Sequence, residues 1–261
     1  MYASPTMRLS ANLWNGISVA LAALACSLGL RPDTLPHPQG RMAALPPITV
    51  WAWERREDLR ALNTQRFAVA YLDQTLTIGL TVRRQPRRNP IVFPGSAAHI
   101  PVVRIESSPN AVLNDETRIE AVQAILLSSR EPDIAAVQID FDATRSQREF
   151  YRNLLIDLRQ QMPAELPLSI TALASWCSWD SWLRDLPVDE AVPMMFRMEP
   201  DRHRASPDVD DFRIREPLCQ SSAGVSTTEP WPSNITGKRI YVFADHGWRE
   251  DSLTELERRL R

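Results

Sequence analysis

The sequence predicts an α/β protein built as a (β/α)8 TIM-type barrel, on three observations. From Ile48 onward, short β-rich runs alternate with stretches of helical period, the order expected of a parallel sheet with crossover helices. There are eight such runs. Several are continuously apolar, as strands covered on both faces are, and a chain of 261 residues suits a single barrel of about 250 residues.

The runs are ITVWAWE (48–54), RFAVAYL (66–72), IPVVRIES (100–107), IAAVQIDFD (134–142), LSITALASW (168–176), EAVPMMFRM (190–198), SAGVSTTEP (222–230) and RIYVFADHG (239–247). Helices are expected at 56–65, 115–130, 147–162, 179–186 and 252–261, the last opening with Ser252 and Glu255 in capping-box spacing. The segment 75–99, TLTIGLTVRRQPRRNPIVFPGSAAH, reads as an inserted hairpin and loop. Residues 199–221 are polar and proline-broken and 231–238 are few, so the sixth and seventh helices are degenerate. An open doubly wound sheet is the alternative. The 21 prolines against 8 glycines are spread as strand-to-helix punctuation.

Residues 1–30 read as a signal peptide or N-terminal anchor. Met7 to Leu30 has a basic start, an apolar stretch and small residues near its end. Ala23-Leu24-Ala25 before Cys26 fits an A-x-A cleavage site and resembles a bacterial lipoprotein box, with Leu24 where a small residue is usual. Asn15, Gly16 and Ser18 leave the run short of the about 20 apolar residues of a span. Residues 31–47 are a proline-rich linker, and 48–261 the barrel domain. The expectation is an exported protein, periplasmic or membrane-anchored, with membrane contact only through the N-terminal segment.

A net charge of −2, from 30 basic and 32 acidic residues, supplies no field of one sign to steer the chain to nucleic acid. Lys238 is the only lysine, a compositional bias that carries no functional weight.

Alternation along the strands points to a site. In the fourth run Val137, Ile139 and Phe141 take one parity and Gln138, Asp140 and Asp142 the other, and in a barrel one parity faces the axis. The third run opposes Val103 and Ile105 to Arg104 and Glu106, the sixth ends near Arg197, and the first ends in Glu54. Unpaired charges inside an apolar shell cost several kcal/mol each, so these groups belong at the mouth, with Arg104 paired to Asp140. Strand C-terminal ends carry the chemistry of barrel enzymes. Asp142, Glu106, Glu54 and Asp140 are therefore the catalytic candidates, and Arg104, Arg197, Trp176, Trp248 and Asp245 the substrate-binding ones. A charge network that merely closes the barrel end is the competing reading.

The segments VQIDFDATRSQREFYRNLLIDLR, LSITALASW and VDEAVPMMFRM resemble the bacterial domain-of-unknown-function family numbered 3142, over most of residues 48–249. That resemblance implies a glycosidase-type barrel and no established reaction. More distantly, IDFD is similar to the D-x-x-D-x-D-x-E strand of chitinase-like glycoside hydrolases of family 18. Asp140 and Asp142 match its middle aspartates, whereas its first aspartate falls on Val137 and its catalytic glutamate on Thr144. Substrate-assisted chemistry of that type therefore lacks its usual acid here.

A pair such as Asp142 with Glu106 or Glu54 meets the need of ordinary glycosidases for one acid and one carboxylate. Trp176, Trp179, Trp231 and Trp248 fall at or just after run ends, where indoles could stack on sugars or pack barrel against helix. Packing is expected of Trp182, and of Trp51 and Trp53 beneath the helices. His37, His99, His203 and His246 show no metal-ligand spacing, and no G-x-S-x-G elbow or phosphate-cradling glycine loop appears. No metal or cofactor is expected. Cys177 and Cys219 are either a disulfide or two buried thiols. The functions that follow are an exported hydrolase of cell-wall or extracellular polysaccharide, a catalytically silent carbohydrate-binding barrel, or a structural envelope module.

Overall fold

The computed structural model describes residues 40–196 and 213–260. The segments 1–39 and 197–212, with Cys26, His37, Arg197 and His203, lie outside the described residues. Eight strands run parallel in a closed ring: β1 (Ile48–Ala52), β2 (Phe67–Ile78), β3 (His99–Ser107), β4 (Val137–Asp140), β5 (Leu168–Leu173), β6 (Glu190–Met194), β7 (Ser222–Ser226) and β8 (Arg239–Phe243). Closure is direct, since β1 pairs with β8 on one side and with β2 on the other. The TIM-type barrel is thus present, and the open sheet is not.

Alternating side chains divide two cores. Val137, Ile139 and Phe141 pack outward against α1 (Asp115–Ser128) and α2 (Arg148–Gln161), with Phe141 edge-on to Tyr151 at 5.1 Å. The N-terminus of α1 is capped reciprocally, Thr117 N–H donating to Asn114 Oδ1 at 2.9 Å and Asn114 N–H to Thr117 Oγ1 at 3.2 Å. Inside the ring Trp51, Ala68, Ala70, Ile100, Val102, Tyr241 and Phe243 form a separate cluster, closed from below by Met42 and Leu45. Gly224 faces the same interior. A Cβ there would meet Met194 Sδ at 3.0 Å and Phe243 Cε2 at 3.3 Å, so any side chain at this position would have to displace its neighbours by a few tenths of an ångström.

A polar spine runs through this interior. Near the N-terminal end, Arg239 donates to Glu190 at 3.0 Å and also to the Met42 carbonyl, while Tyr241 and Ser169 donate to the same carboxylate. Higher up, Ser169 accepts from Gln138 at 3.1 Å, and Gln138 accepts from Trp51 Nε1 at 2.8 Å. Every one of these side chains is buried, so each hydrogen bond removes a desolvation penalty of about 1–3 kcal/mol.

Several expected elements differ. Residues 56–65 are not a helix: Glu57–Asp58 pair in parallel with Ile91–Val92, and Leu59 N–H donates to Val92 O at 2.7 Å, so the inserted loop takes the bonds a helix needs. Residues 179–186 form turns, because Asp180 accepts from Trp182 N–H, Arg152 takes the Trp182 and Arg184 carbonyls, and Asp185 stands at φ 61°. The fifth run stops at Leu173 and continues as the short α3 (Ala174–Ser178), and the first, fourth, sixth, seventh and eighth end earlier than expected, which leaves Asp142 just past its strand. The C-terminal α4 (Glu250–Arg259) begins two residues early, Ser252 Oγ accepting from Arg249 N–H as the third helical residue instead of the cap. The second run, by contrast, continues through a bulge at Asp73 to Ile78 and turns back as the antiparallel strand Val82–Pro86, the hairpin that 75–99 suggested. Among the described residues no helix is long and apolar enough to cross a membrane.

Candidate functional site

The upper mouth is built by the ends of β3, β4 and β5. Register places Arg104 beside Asp140, and the guanidinium donates to the Asp140 carboxylate at 2.6 Å, the expected pair. The other Asp140 oxygen accepts from Thr171 Oγ1 at 2.7 Å. Arg104 also donates to Glu106 at 3.1 Å and lies 4.0 Å from Asp142. One arginine therefore gathers three carboxylates, of which Asp140 is buried while Glu106 and Asp142 are 52% and 42% exposed at the side chain.

The two neighbouring aspartates are electrostatically unequal. Asp140 has both oxygens engaged. Asp142 stands against the mouth walls, and partial burial, with the Asp140 charge behind it, raises its pKa against the opposing pull of Arg104. Burial works against the Arg104 charge, and Asp140, Glu106 and Asp142 more than offset it, so its pKa is also raised. The chemistry this permits is a carboxyl whose pKa is raised above its ordinary value, next to a fixed ion pair.

Beneath Arg104 lies Trp53, its ring centroid 5.6 Å from the guanidinium carbon and 4.4 Å from the Trp51 ring. Both indoles face the barrel interior, which corrects the expectation that they pack under the helices. The strand parity of Thr49, Trp51 and Trp53 is the inward one, and Ile48, Val50 and Ala52 take the outer core. Trp53 was thus hidden by the assumption that Glu54 points inward. Glu54 instead lies past the strand end, where Asn89 N–H and Nδ2 and Arg88 N–H donate to it. Burial opposes its charge, and those donors prevail to hold its pKa low. The structure brings Asp142, Glu106, Asp140 and Arg104 together and leaves Glu54 in a loop-anchoring role.

Asp245 forms a second polar group, accepting from Ser226 Oγ at 3.2 Å and Thr228 Oγ1 at 2.8 Å. Trp176 and Trp248 do not stand on the rim. Both are 3% exposed: Trp176 meets Trp182 edge-on at 4.9 Å, and Trp248 Nε1 donates to the Trp51 carbonyl. The shift of the fifth run into α3 turns Trp176 to the outer core. Trp231 is half-buried beneath Arg259, whereas Trp179 is exposed beside Arg215. Arg197 lies outside the described residues. Thr144, at the place of the family 18 glutamate, is exposed, with Oγ1 3.2 Å from Ser146 Oγ, and Val137 is sealed in the outer core. Among the described residues no three His, Cys, Asp or Glu side chains are placed to hold a metal.

Cys177 and Cys219 are bonded, joining α3 to the turn before β7 across 42 residues with Cα atoms 5.9 Å apart.

Fold and mouth together define a TIM-type barrel with an arginine-centred carboxylate cluster at the C-terminal ends of its strands. Residues 97–193 match the model of a domain-of-unknown-function family, DUF3142, and this is the family the sequence resembles. No curated protein matches the chain. The crystal structure of the Bacillus cereus spore cortex-lytic enzyme SleL is similar at 15% identity and a TM-score of 0.40, over 57% of this chain and 41% of that one. The chain thus spans less than half the length of that protein.

Proposed function

We propose that the protein is an exported glycoside hydrolase acting on a cell-wall or extracellular polysaccharide, with Asp142 as general acid and Glu106 as the facing carboxylate. The observation that carries this reading is the exposed Asp142 carboxyl, its pKa raised, beside the neutralised Asp140–Arg104 pair. Trp53 lies beneath that pair as an apolar floor. Glu106 and Asp142 extend from the neighbouring β3 and β4 and both approach Arg104, which gathers the two carboxylates that such an acid–base pair needs. Export is supported by the signal-like pattern of residues 7–30 and by the Cys177–Cys219 bond.

The test combines thermal unfolding and reducing-end release, on wild type and Asp142→Asn, with a panel of cell-wall and exopolysaccharide fragments. A ligand that binds only the native state raises the midpoint by mass action. Expected are a midpoint rise in both proteins with one glycan class and at least 100-fold slower release by the variant, the scale of general acid catalysis. A catalytically silent carbohydrate-binding or structural barrel is the second reading, favoured by the reach of Arg104 to all three carboxylates. It gains if no bond is cleaved by wild type, and the structural form gains if no glycan shifts either midpoint.

A further inference from the structure

Three strands rise together at the mouth: the end of β2, the end of β3 and the returning strand Val82–Pro86. Side chains alternate across this small sheet. Leu76, Ile78 and Ile105 join the core with Val122 and Ile125 of α1, Val82 packs beside them, and Arg84 donates to Gln74 on that same side. The opposite face is polar. Pairing aligns Gln85, Thr75, Arg104 and Asp140 in one row and Arg83, Thr77 and Glu106 in the next.

Those rows make the sheet a continuation of the carboxylate cluster. With strands about 4.8 Å apart, the second row carries a cation at Arg83 roughly 10 Å from the carboxylate of Glu106. Thr75 and Thr77 are half-buried between them, and Arg83 is exposed with no partner among the described residues. An unpaired guanidinium offers a planar fork that fits a carboxylate bidentately, and threonine hydroxyls both donate and accept. Glu106 and Asp142 nearby disfavour a doubly charged ligand group. A single negative charge among hydroxyls answers this pattern.

We infer that this sheet face is a subsite for a carboxylate-bearing sugar of an acidic polysaccharide, with Arg83 on the carboxylate and Thr75 and Thr77 on ring hydroxyls. The inference rests on the proposed reading of the mouth as a saccharide site. It is tested by calorimetric titration of the full chain with oligogalacturonate, oligoalginate, methyl-esterified oligogalacturonate and an oligosaccharide phosphate monoester, using wild type, Arg83→Gln and Arg130→Gln. Arg130 is an exposed residue just past the end of α1 and serves as the control. At least one uronate should bind wild type and Arg130→Gln equally and Arg83→Gln at least tenfold more weakly, with the methyl ester and the phosphorylated glycan weak throughout. Absence of uronate binding, undiminished binding by Arg83→Gln, equal loss in Arg130→Gln, or methyl ester or phosphorylated glycan binding as tight as the acid would each overturn it. Failure of the hydrolase reading looks different: Arg83-dependent uronate binding without bond cleavage keeps the subsite and removes the enzyme. Cleavage of a neutral glycan, lost in Asp142→Asn and intact in Arg83→Gln, does the reverse.

Discussion

Two aspartates two residues apart divide the work of the mouth. Asp140 is the structural one, with Arg104 and Thr171 on its two oxygens, so Asp140→Ala removes the shortest contact of Arg104, which keeps Glu106, and should cost about 2 kcal/mol in urea unfolding. Asp142 behaves oppositely. Its pKa in the folded protein is raised above the ordinary aspartate value of 3.8, so its contribution to stability is full below that value and is lost as pH rises through the raised native one. Wild type should therefore lose ground to Asp142→Asn in thermal midpoint as pH climbs from 3.8 toward neutrality. A variant less stable than wild type at neutral pH would mean that the Asp142 carboxylate is itself a structural partner. The Arg104–Asp140 pair was legible because the polar parity of β4 is unbroken. Trp53 is not legible, because the strand ends at Ala52 and Glu54, the charged residue that marks the parity in the sequence, lies beyond it.

At the scale of elements, the long amphipathic helices could be read and the short ones could not. α2 has its apolar residues on one face, and its boundaries lie within a residue of those expected. Residues 56–65 and 179–186 have helical composition, yet their backbone groups are claimed by the inserted loop and by Arg152. Such distant partners leave no periodic signal. The disulfide secures the second of these regions. Closing a loop of 42 residues restricts the unfolded chain by about 4 kcal/mol. Cys177→Ser or Cys219→Ser should lower stability by up to that amount in calorimetry without reductant, and the difference should vanish when wild type is reduced.

For the whole molecule, the barrel interior is held by polar contacts as much as by apolar ones. Arg239 and Glu190 are each 1% exposed at the side chain, and a buried pair that loses one partner is destabilised by about 3–5 kcal/mol. Glu190→Leu should show that loss in urea unfolding, and combining it with Arg239→Met should recover most of it. Equal destabilisation by the single and double variants would show that the spine contributes more than charge neutralisation. The ring of eight strands was legible because each strand is a short apolar run, whereas the spine was not: Glu190 and Arg239 open their runs, where charge reads as the flank of a strand.

The bulge at Asp73 has a further consequence. Ser128 Oγ donates to its carboxylate at 2.6 Å and Arg87 N–H to its carbonyl at 2.7 Å, so the extra residue is pinned from both sides. Below it the even-numbered residues Ala68, Ala70 and Leu72 look into the barrel, and above it Leu76 and Ile78 look away. Leu72 and Gln74 pair with the consecutive Val102 and Val103, so the bulge absorbs one step of the alternation; a strand that kept Asp73 but pleated regularly would turn a leucine and an isoleucine toward water and two threonines under a helix. The wetness of the mouth is therefore a matter of reading frame within the strand. Loss of the two contacts that pin the bulge would be expected to change what the barrel can hold more sharply than exchange of a side chain at the mouth itself.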